Sequence, residues 1–161
     1  LVTVNPADFP YEGTLGGVKW QREIEEKAYN VSGSYRAPAQ LVGDFLQGKV
    51  STGAKTVTPT YRPGVHWCDL HDVLPEALCS AMEEALPKLD GNLKGFASDD
   101  AVLTAPETRS SSPVRILRDE SRQAALRGLY PCGEGAGYAG GITSSALDGI
   151  NVALKIAEQK D

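Results

Sequence analysis

Apolar residues recur at helical spacing in four stretches of this chain. Trp20, Ile24 and Ala28 fall at steps of four, with Gln21, Arg22, Glu25 and Glu26 outside. That pattern predicts a helix from Leu15 or Gly16 to about Tyr29, ended by Gly33. Leu41, Val42 and Phe45 give a second predicted helix its apolar face. Pro38 suits its first turn, Leu46 lies near its end and Gly48 stops it. A third helix begins near Leu74 or Pro75, with Leu78, Met82, Ala85, Leu86 and Leu89 on one face. Pro87 weakens its last turn and Asp90-Gly91 end it. The fourth runs from Ile142 to Ala157, with Ile142, Ala146, Ile150 and Ala153 or Leu154 expected on its inner side. Strand patterns are shorter. They cover Leu1–Val4 (cut off at Asn5-Pro6), Ala101–Ala105, the alternating Val114–Leu117, and the apolar run Leu129–Cys132. Asp69–Val73 reads as a short helical turn. Residues 47–64, dominated by Ser, Thr, Lys, Gly and Pro, read as an exposed connection. The character changes between Leu89 and Ala101. The expected organisation is α+β: a mainly helical domain over residues 1–95, then strands and a helix over 96–161.

Composition narrows the class. At 161 residues there is room for a real core. The net charge of −5 argues against a nucleic-acid surface, which would carry a basic patch. No run is long enough to span a bilayer, and no secretory signal or lipidation motif is visible. Cys68, Cys79 and Cys132 are sparse and lack CxxC spacing, so reduced thiols in a cytoplasmic protein are expected rather than a disulfide framework.

The chemistry concentrates after residue 107. Gly128–Gly141 holds six glycines in fourteen residues, between the apolar run and the last helix. Each glycine loses extra backbone entropy on folding, so a mere connection would not favour so many. Strand end, glycine turn and helix N-terminus together bring backbone N–H groups of Gly141, Ile142 and Thr143 to face an anion or an electron-rich ring. The order of residues is neither the Gly-x-Gly-x-x-Gly pyrophosphate fingerprint nor a phosphate-binding P-loop, whose Lys-Ser/Thr ending is missing. The plainer reading is a turn that lets a buried helix pack closely on a strand. Upstream, Glu107–Ile116 sets Thr108, Ser110, Ser111 and Ser112 beside Arg109 and Arg115. Arg presents a planar fork to carboxylates, so Arg109, Ser111 and Arg115 are candidates for a substrate anion. A solvated loop next to an edge strand, with Pro113 on that edge, is the alternative.

Other residues invite weaker readings. His66, Cys68 and His71 supply three potential metal ligands where a closed zinc site needs four, so no metal is assigned. Cys132 near the turn is expected to pack rather than react. Trp20, Tyr29 and Phe45 are expected in the core, and Glu23, Glu25 and Glu26 on a solvated helix face.

From end to end the chain resembles the C-terminal part of a family of FAD-dependent dehydrogenases related to flavoproteins with a glutathione-reductase-like FAD domain. The resemblance is carried by Leu15–Tyr29, Ala37–Leu46, Tyr61–Gly64, Asp69–Pro75, Ala101–Thr104, Glu107–Ile116 and the glycine segment. It implies an inserted helical domain followed by the C-terminal return of an FAD/NAD(P)-binding α/β domain. It implies FAD as cofactor, contacted by Gly133, Glu134, Gly140, Gly141, Ile142 and Thr143, with Glu134 accepting hydrogen bonds from the ribityl hydroxyls. The upstream phosphate loop of full-length members is not present and the chain opens at Leu1. The chain is therefore expected to be a fragment whose partner is the missing N-terminal FAD-binding portion, inactive alone, acting in the whole protein on a small-molecule substrate. The competing expectation is a non-enzymatic helical module that binds a partner and holds no cofactor.

Overall fold

A computed structural model describes residues 2–158. Its elements are α1 (Gly16–Ser32), β1 (Ala37–Leu41), α2 (Val42–Leu46), β2 (Val65–Trp67), α3 (Glu76–Asn92), β3 (Val102–Thr104) and α4 (Ile142–Glu158), with 3-10 turns at Pro6–Asp8 and Leu70–Asp72. The fold is α+β. The chain divides into two compact units. One is Arg22–Glu107 together with the N-terminal residues up to Val4; the other is Asn5–Gln21 with Thr108 onward. One division thus falls inside α1, the other after Glu107.

The first unit is built on a sheet of order β2-β1-β3. β1 runs parallel to β2, with Ala37 opposite Val65, and antiparallel to β3, with Leu41 opposite Val102. The expected helix at Pro38 is therefore a strand followed by the single turn of α2. Pro38–Val42 is buried throughout, and a run buried on both faces suits a central strand better than an amphipathic helix. Phe45, Leu41, Leu70, Val73 and Cys79 form the centre of the core. Two polar side chains are buried with them, and both are satisfied. Gln40 donates to the Lys49 carbonyl at 2.8 Å and accepts the Leu70 N–H at 2.8 Å. Ser51 donates to Asp44 at 2.6 Å and accepts the Leu41 N–H at 2.8 Å.

α3 turns inward along Cys79, Met82 and Leu86, while Ala85 and Leu89 of the expected face are exposed. It runs through Pro87 and past Asp90-Gly91 to Asn92. α1 buries Ile24 and Ala28 and ends at Gly33, whose φ is +60° and whose N–H donates to the Tyr29 carbonyl at 2.8 Å. Tyr29 is exposed and meets Tyr35 edge-on instead of entering the core. Trp20 is half-buried against Phe9.

Three expected strands are absent among the described residues. Val2–Val4, Val114–Leu117 and Leu129–Cys132 are irregular; Leu1 lies outside the described residues. A strand needs a partner ladder, and among the described residues the last two segments make only isolated backbone bonds, Ile116 N–H to the Ala136 carbonyl, Ala124 N–H to the Leu129 carbonyl and Leu129 N–H to the Leu126 carbonyl. α4 has its expected extent but the opposite facing. Val152 is buried and Ser145, Asp148 and Ile156 are half-buried. Ile142, Ala146, Ile150, Ala153 and Leu154, expected inside, are exposed.

Candidate functional site

Residues 128–141 form an irregular turn leading into α4. Its glycines divide into two groups. Gly128, Gly133 and Gly137 have φ of +83°, +69° and +81°, where a Cβ is disfavoured. At Gly137 the space is also closed: a Cβ would lie 2.5 Å from the Val114 carbonyl oxygen and 2.9 Å from Arg115 Cα. The turn's own fold requires these three. Gly135, Gly140 and Gly141 have no positive φ. A Cβ on Gly135 would meet nothing within 4 Å, and one on Gly141 would make ordinary contact with Ser144 Oγ at 3.5 Å. One on Gly140 would press on the Ser111 hydroxyl at 3.2 Å.

α4 begins at this exposed end. The Gly141 carbonyl accepts the Ser145 N–H at 2.9 Å, and its N–H donates to Ser144 Oγ at 3.2 Å. Ser144 therefore occupies one amide of the trio expected to face a ligand. The amides of Ile142 and Thr143 fall in the first turn, where the helix supplies no acceptor. Both residues are exposed. Glu134 is half-buried, and its carbonyl accepts the Gly137 N–H at 2.9 Å.

An ion pair pins the turn to the helix. Arg118 donates to both oxygens of Asp148, at 2.7 and 3.0 Å, and to the Pro131 carbonyl at 2.7 Å. Asp148 also accepts the Gly133 N–H at 2.9 Å. The Arg118 side chain is 3% exposed, and its guanidinium lies 3.6 Å from the Tyr138 ring centroid. The Tyr138 hydroxyl donates to the Ile116 carbonyl at 3.0 Å. The Arg118 hydrogen bonds hold the Asp148 carboxyl down at about 2. Buried polar atoms without a partner among the described residues, Arg118 Nε and Ser145 Oγ, belong to the same region. The hydrophobic pattern did not single out Arg118, Asp148 or Tyr138. The available signal was an Asp in the middle of a helix otherwise uncharged until its last turn.

The serine loop meets the turn. Ser111, Ser112, Arg115, Tyr138 and Gly140 line a cleft of about 350 Å³. Arg115 Nε donates to the Gly137 carbonyl at 2.8 Å. Ser112 is occupied with Val114, donating to its carbonyl at 2.8 Å. Arg109 is exposed and outside this lining.

The remaining candidates lie elsewhere. His71 sits between two carboxylates, Nδ1 at 2.6 Å from Asp69 and Nε2 at 3.1 Å from Glu83, and stacks on Phe45. The Asp69 hydrogen bond raises its pKa. His66 lies on β2 and Cys68 is buried, which raises its thiol pKa. No group of three His, Cys, Asp or Glu side chains able to hold a metal occurs among the described residues. Cys79 is buried, which pushes its thiol up to about 11. Cys132 is exposed instead of packed. No helix among the described residues is long and apolar enough to cross a membrane.

An α+β chain with an exposed glycine turn at a helix N-terminus is a fold class and a feature, and comparison with known proteins supplies the family. A family model described as "FAD-dependent protein, C-terminal domain-like" matches residues 1–110. The chain belongs to that family. An uncharacterized protein of Clostridium beijerinckii is 45% identical over 163 residues, covering all of this chain and 31% of its own length. The chain thus spans under a third of that relative. The family match stops before the glycine turn, whereas the bacterial relative matches through it.

The residues fit a flavin on one structural ground. Gly135, Gly140 and Gly141 are exposed without positive φ, and only at Gly140 would a Cβ press on a neighbour, the Ser111 hydroxyl. Exposed backbone of this kind is what close approach of a flat ring requires.

Proposed function

We propose that this chain is part of an FAD-dependent oxidoreductase and contacts the flavin through Gly133, Glu134, Gly140, Gly141, Ile142 and Thr143. The expected boundary at residue 95 would part β3 from β1, so the substrate-side insert is drawn to Glu107 and the return into the cofactor domain from Thr108. The observation that carries the reading is Gly140-Gly141: two exposed glycines without positive φ, next to first-turn amides for which the helix supplies no acceptor. When bound, FAD supplies the redox chemistry. The chain supplies orientation and electrostatics. The Ile142 and Thr143 amides stand at the positive end of α4, where negative charge on the pyrimidine edge is stabilised. Glu134 accepts from the ribityl hydroxyls. Arg118 and Asp148 hold Gly133, and hence the turn, against the helix. Membership of an FAD-dependent family supports the cofactor; the reaction class is our inference.

The test is a visible absorbance scan and flavin titration of this chain beside the longest natural polypeptide containing it. Flavin retention by the longer form, lost on Gly141→Val, is the expected result. A longer form that folds yet never binds flavin sinks the reading in favour of a partner-binding module. A Cβ at Gly141 makes only ordinary contact with Ser144 Oγ at 3.5 Å, so Gly141→Ala measured beside Gly141→Val separates loss of ligand from loss of fold.

A further inference from the structure

The cleft between the serine loop and the glycine turn contains one cation without an acidic partner and one hydroxyl without a hydrogen bond among the described residues. Arg115 has its Nε tied to the Gly137 carbonyl at 2.8 Å, so the plane of the guanidinium is set before any ligand arrives. Arg115 lines the cleft, its guanidinium 5.1 Å from the Tyr138 ring centroid, and no carboxylate among the described residues pairs with it. The neighbouring cation, Arg118, is already neutralised by Asp148. Arg115 therefore carries the local uncompensated positive charge, in a protein whose net charge is −5. Ser111 is exposed, its hydroxyl carries no internal hydrogen bond, and Gly140 keeps it uncovered, since a Cβ there would approach it to 3.2 Å. No acidic side chain lines the cleft.

We propose that this cleft seats the carboxylate of a small organic-acid substrate, with Arg115 as the planar fork and Ser111 as the second donor. A pre-oriented fork matches the two coplanar oxygens of a carboxylate and loses little freedom on binding it. A single cation with one hydroxyl suits a singly charged group better than a phosphate. The cleft, about 350 Å³, lies at the small end of ligand sites. The inference rests on the flavin reading for its role as a substrate site, though the anion site itself does not.

The experiment titrates the longest natural polypeptide containing this chain with benzoate, with benzamide as the neutral match and inorganic phosphate as the competing anion. Two signals are followed: the visible flavin spectrum, and the NMR shifts of the Gly137–Gly140 amides and Arg115 Nε–H. Benzoate should move both signals while benzamide moves neither. Arg115→Gln should weaken benzoate about tenfold or more, as loss of a charge-assisted bond does. Ser111→Ala should weaken it roughly threefold, within the range for one neutral hydrogen bond. Its hydroxyl has no internal partner, so this variant leaves folding intact. An equal response to benzamide, tighter phosphate binding, or no effect of either variant overturns the proposal. Benzoate binding only when flavin is absent also overturns it, because the cleft is then the cofactor's. If no flavin is held, amide shifts with benzoate preserve the anion site and discard the flavin reading; silence in both signals discards both.

Discussion

Asp148 shows how one carboxylate can set the geometry of a whole turn. It receives two bonds from Arg118 and one from the Gly133 N–H, and its side chain is 15% exposed. Asp148→Asn removes the charge but leaves Arg118 buried, which should cost about 3 kcal/mol in urea unfolding. The pH dependence has a definite sign. The folded carboxyl is held at about 2 against 3.8 unperturbed. Its contribution is therefore complete above the unfolded value and drains away as pH falls from about 4 toward 2, on the order of 2 kcal/mol in all. Acid unfolding of the parent should steepen in that window and the Asp148→Asn slope should not; equal slopes would remove Asp148 from the account. The glycines make a second residue-scale prediction. Gly137→Ala meets backbone at 2.5 Å with φ at +81°, and should destabilise by about 2 kcal/mol or more. Gly141→Ala has room and an ordinary φ, and should leave the midpoint within about 0.5 kcal/mol. Equal costs at the two positions would mean that the division of the glycines is wrong.

Elements were legible where their periodicity was long. α1, α3 and α4 run close to their expected spans because seventeen residues repeat a helical pattern several times. β2 has three residues and no pattern to repeat. β1 was read as helix because Leu41, Val42 and Phe45 happen to fit helical spacing across a strand and the turn after it. The facing of α4 was not legible, because both sides carry apolar residues and spacing alone cannot say which side meets the rest of its unit. The serine loop and the glycine turn were each visible in the sequence. Their meeting at Ser111 and Gly140 was not, since it depends on contacts between segments far apart in the chain. The same limit hid the clamp on α3, where Asp69 and Glu83 approach His71 from the turn and from the helix. The Asp69 bond raises the His71 pKa, so the clamp contributes fully below the ordinary histidine value near 6.5 and fades as pH rises through the folded value. The melting temperature of the parent should fall as pH rises above the ordinary histidine value near 6.5, and His71→Gln should flatten that slope. An unchanged slope in the variant would place the pH dependence elsewhere.

At the scale of the molecule, α4 presents Ile142, Leu147, Ile150 and Leu154 to solvent, from 56% to 94% exposed. A row of this kind is unusual on a protein surface that meets only water. Burying each such side chain is worth roughly 1.5–3 kcal/mol, enough to dock a helix firmly. The relative from Clostridium beijerinckii extends well beyond the matched region, which covers 31% of its length. On the proposed flavin reading, we take the remainder of such a polypeptide as the occupant of this face. The chain alone should then bind hydrophobic dyes and self-associate in light scattering, and Ile150→Glu should make it monomeric without loss of helix. In the longest natural polypeptide the same substitution should release flavin or prevent folding, since it places a charge in a buried seam. A monodisperse, dye-silent monomer of the unmodified chain would show that the face needs no cover. An Ile150→Glu longer form that folds and keeps its flavin would show that the cover lies elsewhere. Either result would separate the glycine turn from the helix that carries it and return α4 to the role of a surface element.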